Sequence, residues 1–356
     1  MTGSDVTREG VQGAVPGRDA VTGPQAGRRR RRRGRGRGRG ERAMVPDAEF
    51  SSYYGKPILN KPTWKALDIA GYLFLGGLAG ASSLLAAGGQ LTGRPRTARA
   101  AKLGAAGAMS LSLAALVHDL GRPARFVNML RIFKPTSPMN LGSWLLAAYA
   151  PLTMAAAAVD VAGRHRVVRA AGTAATGGAA VLGPAVATYT AVLISDTAVP
   201  SWHEGHREMP FVFAGSAATA GAGLALACAP VRETGPARRL AVLGAALELG
   251  SFRLMKRRMG PVAEPFEQGA PRRLLRCAEA LTTGGAVLAS YAGRRDRTGG
   301  RARVLAAGAG AALLTGSALL RFGVFHAGVA SAEDPRYTVV PQRARLEARA
   351  RSGGDG

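Results

Sequence analysis

The residues best placed for chemistry lie in one short polar stretch between two apolar segments. The sequence H-D-L-G-R-P occupies residues 118–123, and a basic segment follows it up to Trp144. Charged side chains at a membrane boundary are costly unless they have a role, so this stretch is a functional candidate. His118 and Asp119 offer a hydrogen-bonding group and a titratable group that can accept a proton. These residue types are suited to proton transfer at the end of a helix.

Asp68 and Tyr72 lie near the start of the first apolar segment, and we expect them on the same side as His118. They are four residues apart, so they share one face of a helix. Asp68 is a second candidate for a group that transfers protons. The alternative is a carboxylate that extends to the membrane surface beside Lys65.

Three further charged residues lie inside later apolar segments. An unpaired charge at Glu248 or Arg321 would cost about 2.5–3.5 kcal/mol on insertion into a membrane. The sequence therefore predicts that these two side chains pair with each other or line a hydrated proton path. Glu279 is the alternative partner of Arg321.

Eight apolar blocks must position these residues. Each has most or all of the roughly 20 residues that a helix needs to cross about 30 Å of hydrocarbon. They are rich in Ala and Gly, which favours close packing between membrane helices, although codon bias in the genome is an alternative explanation. The predicted fold class is all-α, a polytopic membrane protein with eight transmembrane helices. The blocks cover residues 67–90, 103–120, 141–162, 171–195, 211–231, 239–255, 274–292 and 304–328.

Composition divides the chain into three parts. Residues 1–50 form a tail rich in Arg and Gly, a composition typical of disorder. Binding to RNA or to an anionic membrane surface would rest on this tail alone, and we expect no nucleic-acid partner. If translation begins at Met44, most of the tail is absent from the protein. The membrane domain is predicted over residues 51–343, and a polar C-terminal tail over residues 344–356.

The metal-ligating residue types are sparse in the sequence. Cys228 and Cys277 lie in different apolar blocks and no C-x-x-C motif occurs, so we expect no iron–sulfur cluster in this chain. His118 and His326 are the histidines near helix ends, and they leave a single bis-histidine haem site as the alternative to no haem. No metal site is predicted.

The connections between blocks differ in content on the two faces of the membrane. With eight spans, both termini and every second connection share one face, which carries the motifs at 118–123, 201–210, 260–267 and 331–339. We predict that a partner protein docks on this face. The distribution of Lys and Arg does not decide which side of the membrane it occupies. Three tryptophans near this face are interpreted as interfacial belt residues: Trp64, Trp144 and Trp202.

Several of these motifs resemble one known family. The segments Y-Y-G-K-P-I-L-N-K-P-T-W-K at 53–65, L-F-L-G-G-L-A-G-A at 73–81, H-D-L-G-R-P-A-R-F and K-P-T-S-P-M-N-L-G-S-W are similar to the NrfD/PsrC family. Its members are the membrane-anchor subunits of polysulfide reductase and related molybdopterin oxidoreductases. The segments at 189–202 and 331–343 agree, so the resemblance covers nearly all of residues 53–343.

The resemblance implies eight helices arranged as two four-helix bundles, with no redox metal in this chain. Members of the family bind a quinone or quinol, here expected to be menaquinone, near the face where an iron–sulfur subunit docks. That subunit exchanges electrons with a molybdopterin catalytic subunit, which decides the terminal substrate. Membrane lipid is a further expected partner, and proton conduction is an additional expectation. The alternative is a secondary transporter without a redox role.

Quinol oxidation releases two protons with two electrons, which gives the candidate residues specific roles. With the resemblance, His118, Asp119 and Asp68 are predicted to carry the proton chemistry, and a helix-end cap is the alternative for the first two. The other candidates would contact the quinone, although the basic ones are favoured to organise the loop or to meet an acidic partner surface. These candidates are Tyr72, Arg122, Arg125, Lys134 and Ser137.

Overall fold

The chain is almost entirely helical where the computed structural model describes it, over residues 5–7, 10–12, 58–121, 124–162, 165–292 and 299–353. A short antiparallel hairpin pairs β1 (Asp5–Thr7) with β2 (Gly10–Gln12). Two 3-10 segments, Val231–Glu233 and Gly260–Glu267, flank one of the long helices. The α-helices are α1 (Ala66–Leu91), α2 (Pro95–Asp119), α3 (Ala124–Met129), α4 (Pro138–Ala162), α5 (Arg166–Ser195), α6 (Pro200–His203), α7 (Met209–Cys228), α8 (Gly235–Met259), α9 (Gly269–Ala292), α10 (Gly300–Glu333) and α11 (Arg336–Gly353).

Each predicted apolar block coincides with one long helix. Within the described part of the chain, six helices are long and apolar enough to cross a membrane: α1, α2, α4, α5, α7 and α10. Helices α8 and α9 lie at two further predicted blocks, but arginines such as Arg253 and Arg276 lower their hydropathy. The prediction of a helical membrane protein is therefore confirmed, with six helices that satisfy the composition expected of a span.

Helix α1 lies at the centre of the unit formed by residues 62–331. It packs against α2, α5 and α7, while α4 packs against α2 and α5. Helix α7 packs against α8, and α8 packs against α9. The most apolar stretch of α1 is 78% buried, compared with 39% in α2 and 33% in α4, so α1 is the helix that the others surround.

Glycines allow the closest helix contacts. Gly80 of α1 faces Gly183 of α5, where a side chain on either residue would collide with the partner's backbone. Gly223 of α7 and Gly310 of α10 face each other in the same way. Dispersion forces contribute to helix association in a membrane and require close contact between helices. These small residues allow the backbones to approach that closely.

Two polar contacts join helix ends that are far apart in sequence. The Glu233 carboxylate accepts the backbone N–H groups of Arg96 and Thr97, both at 3.0 Å, and so caps the N-terminus of α2. At the start of α10, Arg303 Nη1 donates to the carbonyl oxygens of Leu226 and Ala229 at 2.9 Å, where α7 ends. Both contacts satisfy backbone groups that a helix end leaves unpaired.

Residues 1–61 and 332–356 form a separate unit. Within it, Lys61 forms an ion pair with Glu333, and Arg336 Nε lies 2.7 Å from Asp334 Oδ2 where α11 begins. Helix α11 continues into the segment predicted as a polar C-terminal tail. The arginine run of the N-terminal tail and Met44 lie outside the described residues.

Candidate functional site

His118 and Asp68 form a hydrogen-bonded pair where α1 begins and α2 ends. His118 Nδ1 lies 2.9 Å from Asp68 Oδ2. The two helices are consecutive and antiparallel, so the first turn of α1 meets the last turn of α2. The Asp68 side chain is 11% exposed, whereas that of His118 is 66% exposed. The carboxylate is therefore enclosed by the helices, and the imidazole is open to the surroundings.

This contact fixes which nitrogen of the imidazole is available for chemistry. A carboxylate only accepts hydrogen bonds, so Nδ1 of His118 carries the hydrogen that it donates to Asp68. In the neutral ring, Nε2 is then the proton acceptor. A histidine held by a carboxylate in this way has the geometry of a general base.

A pair of tyrosines lies next to this site, one buried and one half-buried. Tyr72, one helical turn beyond Asp68, is 3% exposed, and its ring packs edge-to-face on Tyr189 of α5 at a centroid distance of 6.5 Å. Gly142 of α4 packs directly against the Tyr189 ring. The Tyr189 hydroxyl is buried and has no hydrogen-bond partner among the described residues. It can therefore donate a hydrogen bond to a ligand oxygen.

Tyr189 has no assigned role in the sequence analysis. It is the first residue of the Y-T-A-V-L-I-S-D segment that carries part of the family resemblance, and that position was the available signal. Its proximity to Tyr72 depends on how α1 packs against α5, which a single sequence does not reveal.

Of the other candidates near the end of α2, Arg125 contacts the chain that follows the helix. Asp119 is the last residue of α2 and points about 100° away from His118 around the helix axis. Arg125 is exposed, and its Nη1 donates to the Leu120 carbonyl oxygen at 3.2 Å. Arg122 lies outside the described residues. The structure thus brings His118 into contact with Asp68, not with Asp119.

Lys134 and Ser137 use their backbones to shape the turn before α4. The Ser137 N–H donates to the Lys134 carbonyl at 3.0 Å, and the Lys134 N–H donates to Asn140 Oδ1 at 2.7 Å. Asn140 Nδ2 also donates to the carbonyls of Met129 and Ile132, at 2.6 and 2.8 Å. Asn140, which the sequence analysis did not select, therefore fastens the segment between α3 and α4.

A second polar group is enclosed among α7, α8, α9 and α10. The Glu248 side chain accepts hydrogen bonds from Thr282 Oγ1 at 3.0 Å and from Thr219 Oγ1 at 3.4 Å, and the residue is 1% exposed. Ser216 and Ser317 hydrogen-bond to each other at 2.8 Å. These side chains come from all four helices, so the carboxyl group is satisfied by hydroxyl groups inside the protein.

Arg321 belongs to the same enclosed group but does not bond Glu248 directly. Its Nη2 donates to the Phe213 carbonyl at 2.9 Å, and its guanidinium carbon lies 3.5 Å above the Phe213 ring. Nε and Nη1 of Arg321 have no hydrogen-bond partner among the described residues. The direct pairing with Glu248 is therefore absent. Glu279, the alternative partner, lies instead 2.5 Å from Arg253 Nη2 on the exposed side of α9.

One family model matches this chain. The model described as polysulphide reductase, NrfD, matches residues 57–239, which is about half of the sequence. The chain is a member of the NrfD family. It is thus a multi-pass membrane protein, and the membership points to a membrane subunit of a molybdopterin oxidoreductase complex. A comparison with curated proteins gives no match.

The NrfD match covers one of the two polar groups and leaves out most of the other. His118, Asp68 and Tyr189 all lie within the matched residues. Glu248 and Arg321 lie beyond them. The open histidine pair therefore lies in the part of the chain that matches the family, and the enclosed group lies mostly beyond it.

Trp202 has a different position in this NrfD chain from the one predicted. It is fully buried, and its Nε1 donates to the Val324 carbonyl of α10 at 2.9 Å. Its ring stacks on Trp64 at a centroid distance of 6.0 Å, and Gly328 leaves room for the indole. The interpretation of Trp202 as an interfacial belt residue is therefore wrong. Trp144 is 38% exposed, as a residue at an interface would be.

Potential metal ligands meet at most in pairs in the part of the chain that the structure describes. No group of three or more His, Cys, Asp or Glu side chains comes together there. His203 Nδ1 lies 3.2 Å from the Ser195 carbonyl, and His206 Nδ1 lies 2.9 Å from the His203 carbonyl. The His206 contact is exposed and local to the connection between α5 and α7.

Proposed function

We propose that this NrfD chain is the quinone-interacting membrane subunit of its complex. It would exchange electrons between membrane quinol, expected to be menaquinol, and an iron–sulfur subunit that serves a molybdopterin catalytic subunit. The observation that supports this proposal most directly is the His118–Asp68 pair, with Nδ1 and Oδ2 at 2.9 Å. A proton acceptor at this helix end is what the proton chemistry of quinol oxidation would need.

The geometry of the pair suits the proton chemistry of quinol oxidation. Quinol, when bound, supplies two electrons and two protons. Nε2 of His118 points away from Asp68 and can accept a proton from a quinol hydroxyl group. The Asp68 carboxylate then stabilises the imidazolium through the Nδ1 hydrogen bond. Because His118 is exposed, it can pass the proton on to water and return to the neutral state.

A quinone oxygen would also need a hydrogen-bond donor, and Tyr189 fits that need. Its hydroxyl is buried without a partner in the described part of the chain. A donor left unpaired in a protein interior costs about 1–3 kcal/mol, and a ligand oxygen would recover that cost. Tyr72 would form the apolar wall between Asp68 and Tyr189, since its ring contacts Tyr189.

The electrons must leave this chain through a partner, which we place at the segment between α2 and α4. Arg125, Arg131 and Lys134 are exposed there, and so are Ile132 and Phe133. This mixture of basic and apolar groups suits an iron–sulfur subunit with an acidic docking surface. Asn140 would keep the segment in place for docking.

The packing supports the finer architecture that the family implies. We propose that α8 and α9 also cross the membrane, which gives eight spans in two four-helix bundles. The first bundle would contain α1, α2, α4 and α5, which pack against one another. The second would contain α7, α8, α9 and α10, which share the enclosed polar group. That group, with Glu248 at its centre, would support proton conduction.

The proposal is tested by purifying the tagged chain from its native membranes in mild detergent. We expect an iron–sulfur protein and a molybdopterin protein to co-purify, with quinone in the lipid extract. His118→Ala should lower the quinone content, whereas His206→Ala, which also replaces an exposed histidine, should not. A chain that purifies alone and without quinone would overturn the proposal and favour the transporter alternative.

A further inference from the structure

A basic cavity lies where α8 ends and α9 begins, apart from the His118 site. It has a volume of about 390 Å³ and lies between α8, α9, the 3-10 segment Gly260–Glu267 and α10. Four basic side chains line it: Arg253, Lys256, Arg272 and Arg276. No element of the proposed electron transfer uses this cavity.

The acidic residues of the cavity neutralise only part of this charge. Arg253 pairs with Glu279 at 2.5 Å, and Lys256 pairs with Glu267 at 3.0 Å. The third acidic residue of the lining is Glu248 of the enclosed polar group, which accepts a hydrogen bond from Thr282. Arg272 and Arg276 have no acidic partner among the described residues. They are four residues apart, so their side chains leave α9 on the same face. Both residues are exposed, so water and salt screen the repulsion between the two like charges, and an anion between them would turn it into attraction.

The remaining cavity wall is apolar. Leu249, Phe252, Phe266, Leu275 and Leu320 line it beside the basic groups. A second basic cavity, of about 470 Å³, shares Arg253, Lys256 and Glu267 with the first and adds Arg257. The combination of an arginine pair with an apolar wall at a helix end fits an amphipathic anion better than a simple salt ion.

We propose that Arg272 and Arg276 bind a phosphate group in this cavity. Planar guanidinium groups are suited to phosphate because they donate two parallel hydrogen bonds. The phosphate would belong either to the headgroup of an anionic phospholipid, with its glycerol and acyl carbons against the apolar wall, or to free phosphate in solution. The cavity is separate from the proposed quinone site, so an experiment can disprove one proposal and leave the other standing.

The test uses the full chain, purified in an uncharged detergent and stripped of lipid. Binding of a short-chain phosphatidylglycerol, of inorganic phosphate and of a short-chain phosphatidylcholine is measured by isothermal titration calorimetry. We expect Arg272→Gln combined with Arg276→Gln to weaken phosphatidylglycerol binding at least tenfold. Arg273→Gln is the matched control, because Arg273 is an exposed neighbour on α9 that does not line the cavity. It should change the affinity less than twofold.

Each outcome decides the proposal. Binding of phosphatidylglycerol alone, lost in the double variant, supports the lipid headgroup. Binding of inorganic phosphate with the same dependence on Arg272 and Arg276 supports free phosphate as the source. Equal losses in the control and the double variant, or no loss in either, would overturn the site. If the double variant does not elute as a single folded species, Arg276→Gln alone replaces it, with a loss of at least threefold expected.

Discussion

The open histidine pair and the enclosed carboxyl group show two ways of placing charge in a membrane protein. His118 and Asp68 meet at a helix end, where one partner is exposed and the other is covered. Glu248 and Arg321 are both buried, and hydroxyl groups, a carbonyl and an aromatic ring surround them. The first arrangement can exchange protons with the outside. The second keeps its charges away from lipid and depends on the packing of four helices.

If the enclosed group depends on packing, the residue that fixes α10 should matter most for stability. We expect Trp202→Ala to lower the free energy of unfolding by about 3–5 kcal/mol, because the change removes a fully buried indole. The hydrogen bond to the Val324 carbonyl is lost as well. Thermal unfolding of the detergent-solubilised variant measures the effect.

The matched control for that change is the stacking partner. Trp64 is half-buried, so Trp64→Ala should cost less than Trp202→Ala. Equal losses in the two variants would contradict the view that α10 is anchored by the deeper tryptophan.

The open pair should instead matter for turnover. We expect His118→Ala to reduce quinol oxidation by the assembled complex about 100-fold, since general-base catalysis commonly contributes that much. Asp68→Asn should also reduce the rate, because the amide does not stabilise the imidazolium. Steady-state kinetics with a soluble quinol, combined with unfolding temperatures close to the wild-type value, would separate this effect from misfolding. Unchanged rates in both variants would remove His118 from the chemistry.

At Glu248, loss of the hydrogen-bond acceptor should destabilise the protein more than loss of the negative charge. Glu248→Ala leaves the hydroxyl group of Thr282 without its acceptor, at a cost of about 1–3 kcal/mol, whereas Thr219 keeps the Ser216 carbonyl at 2.9 Å. Glu248→Gln keeps an acceptor oxygen in place and should be the more stable of the two variants. Unfolding temperatures of the two proteins, measured in one detergent, give the comparison. A less stable Gln variant would show that the negative charge itself holds the group together.

The smallest expected effect concerns an ion pair outside the membrane-spanning part of α7. Arg258 donates to both carboxylate oxygens of Glu208 at 2.7 Å, and this hydrogen bonding lowers the pKa of Glu208. A lowered pKa means that the pair stabilises the fold above the ordinary glutamate pKa of about 4.3 and loses this effect as the pH falls through the folded-state value.

We therefore expect Glu208→Gln to cost about 1 kcal/mol at neutral pH and less in acid. Unfolding temperatures measured between neutral and acidic pH would show the difference from the wild type shrinking. Glu267→Gln, which removes the more exposed pair with Lys256, is the control. A constant difference at every pH would show that Glu208 acts through packing.

The helices could be predicted because an apolar run of about 20 residues can cross a membrane only if its backbone groups are paired, as they are in a helix. The positions of Asp68 and His118 at one end followed from the alternation of helix direction. The contact between them did not, because adjacent residues such as His118 and Asp119 lie on different helix faces, and one sequence does not show which face meets α1. The partner of Glu279 was missed for the same reason, since it depends on the rotation of α9 against α8.

The composition around Trp202 led to a wrong prediction of its position. Trp202 stands in the polar segment S-W-H-E-G-H-R-E, which is typical of a membrane interface. Its burial depends on Gly328, a residue far away in sequence that leaves space for the ring. Tyr189 and Asn140 were missed because their importance lies in contacts with other segments, and their place in motifs of the family resemblance was the only signal in the sequence.

The Glu233 contact has a consequence for the order in which the protein is made. The ribosome delivers α2 long before it delivers Glu233, which follows Arg96 by 137 residues. During synthesis, the first amides of α2 must therefore bind water or lipid headgroups until α7 has entered the membrane. A chain that is truncated before residue 233 should expose this helix end to proteases and quality-control factors. The N-terminus of α2 is therefore capped only after the segment that contains Glu233 has been synthesised.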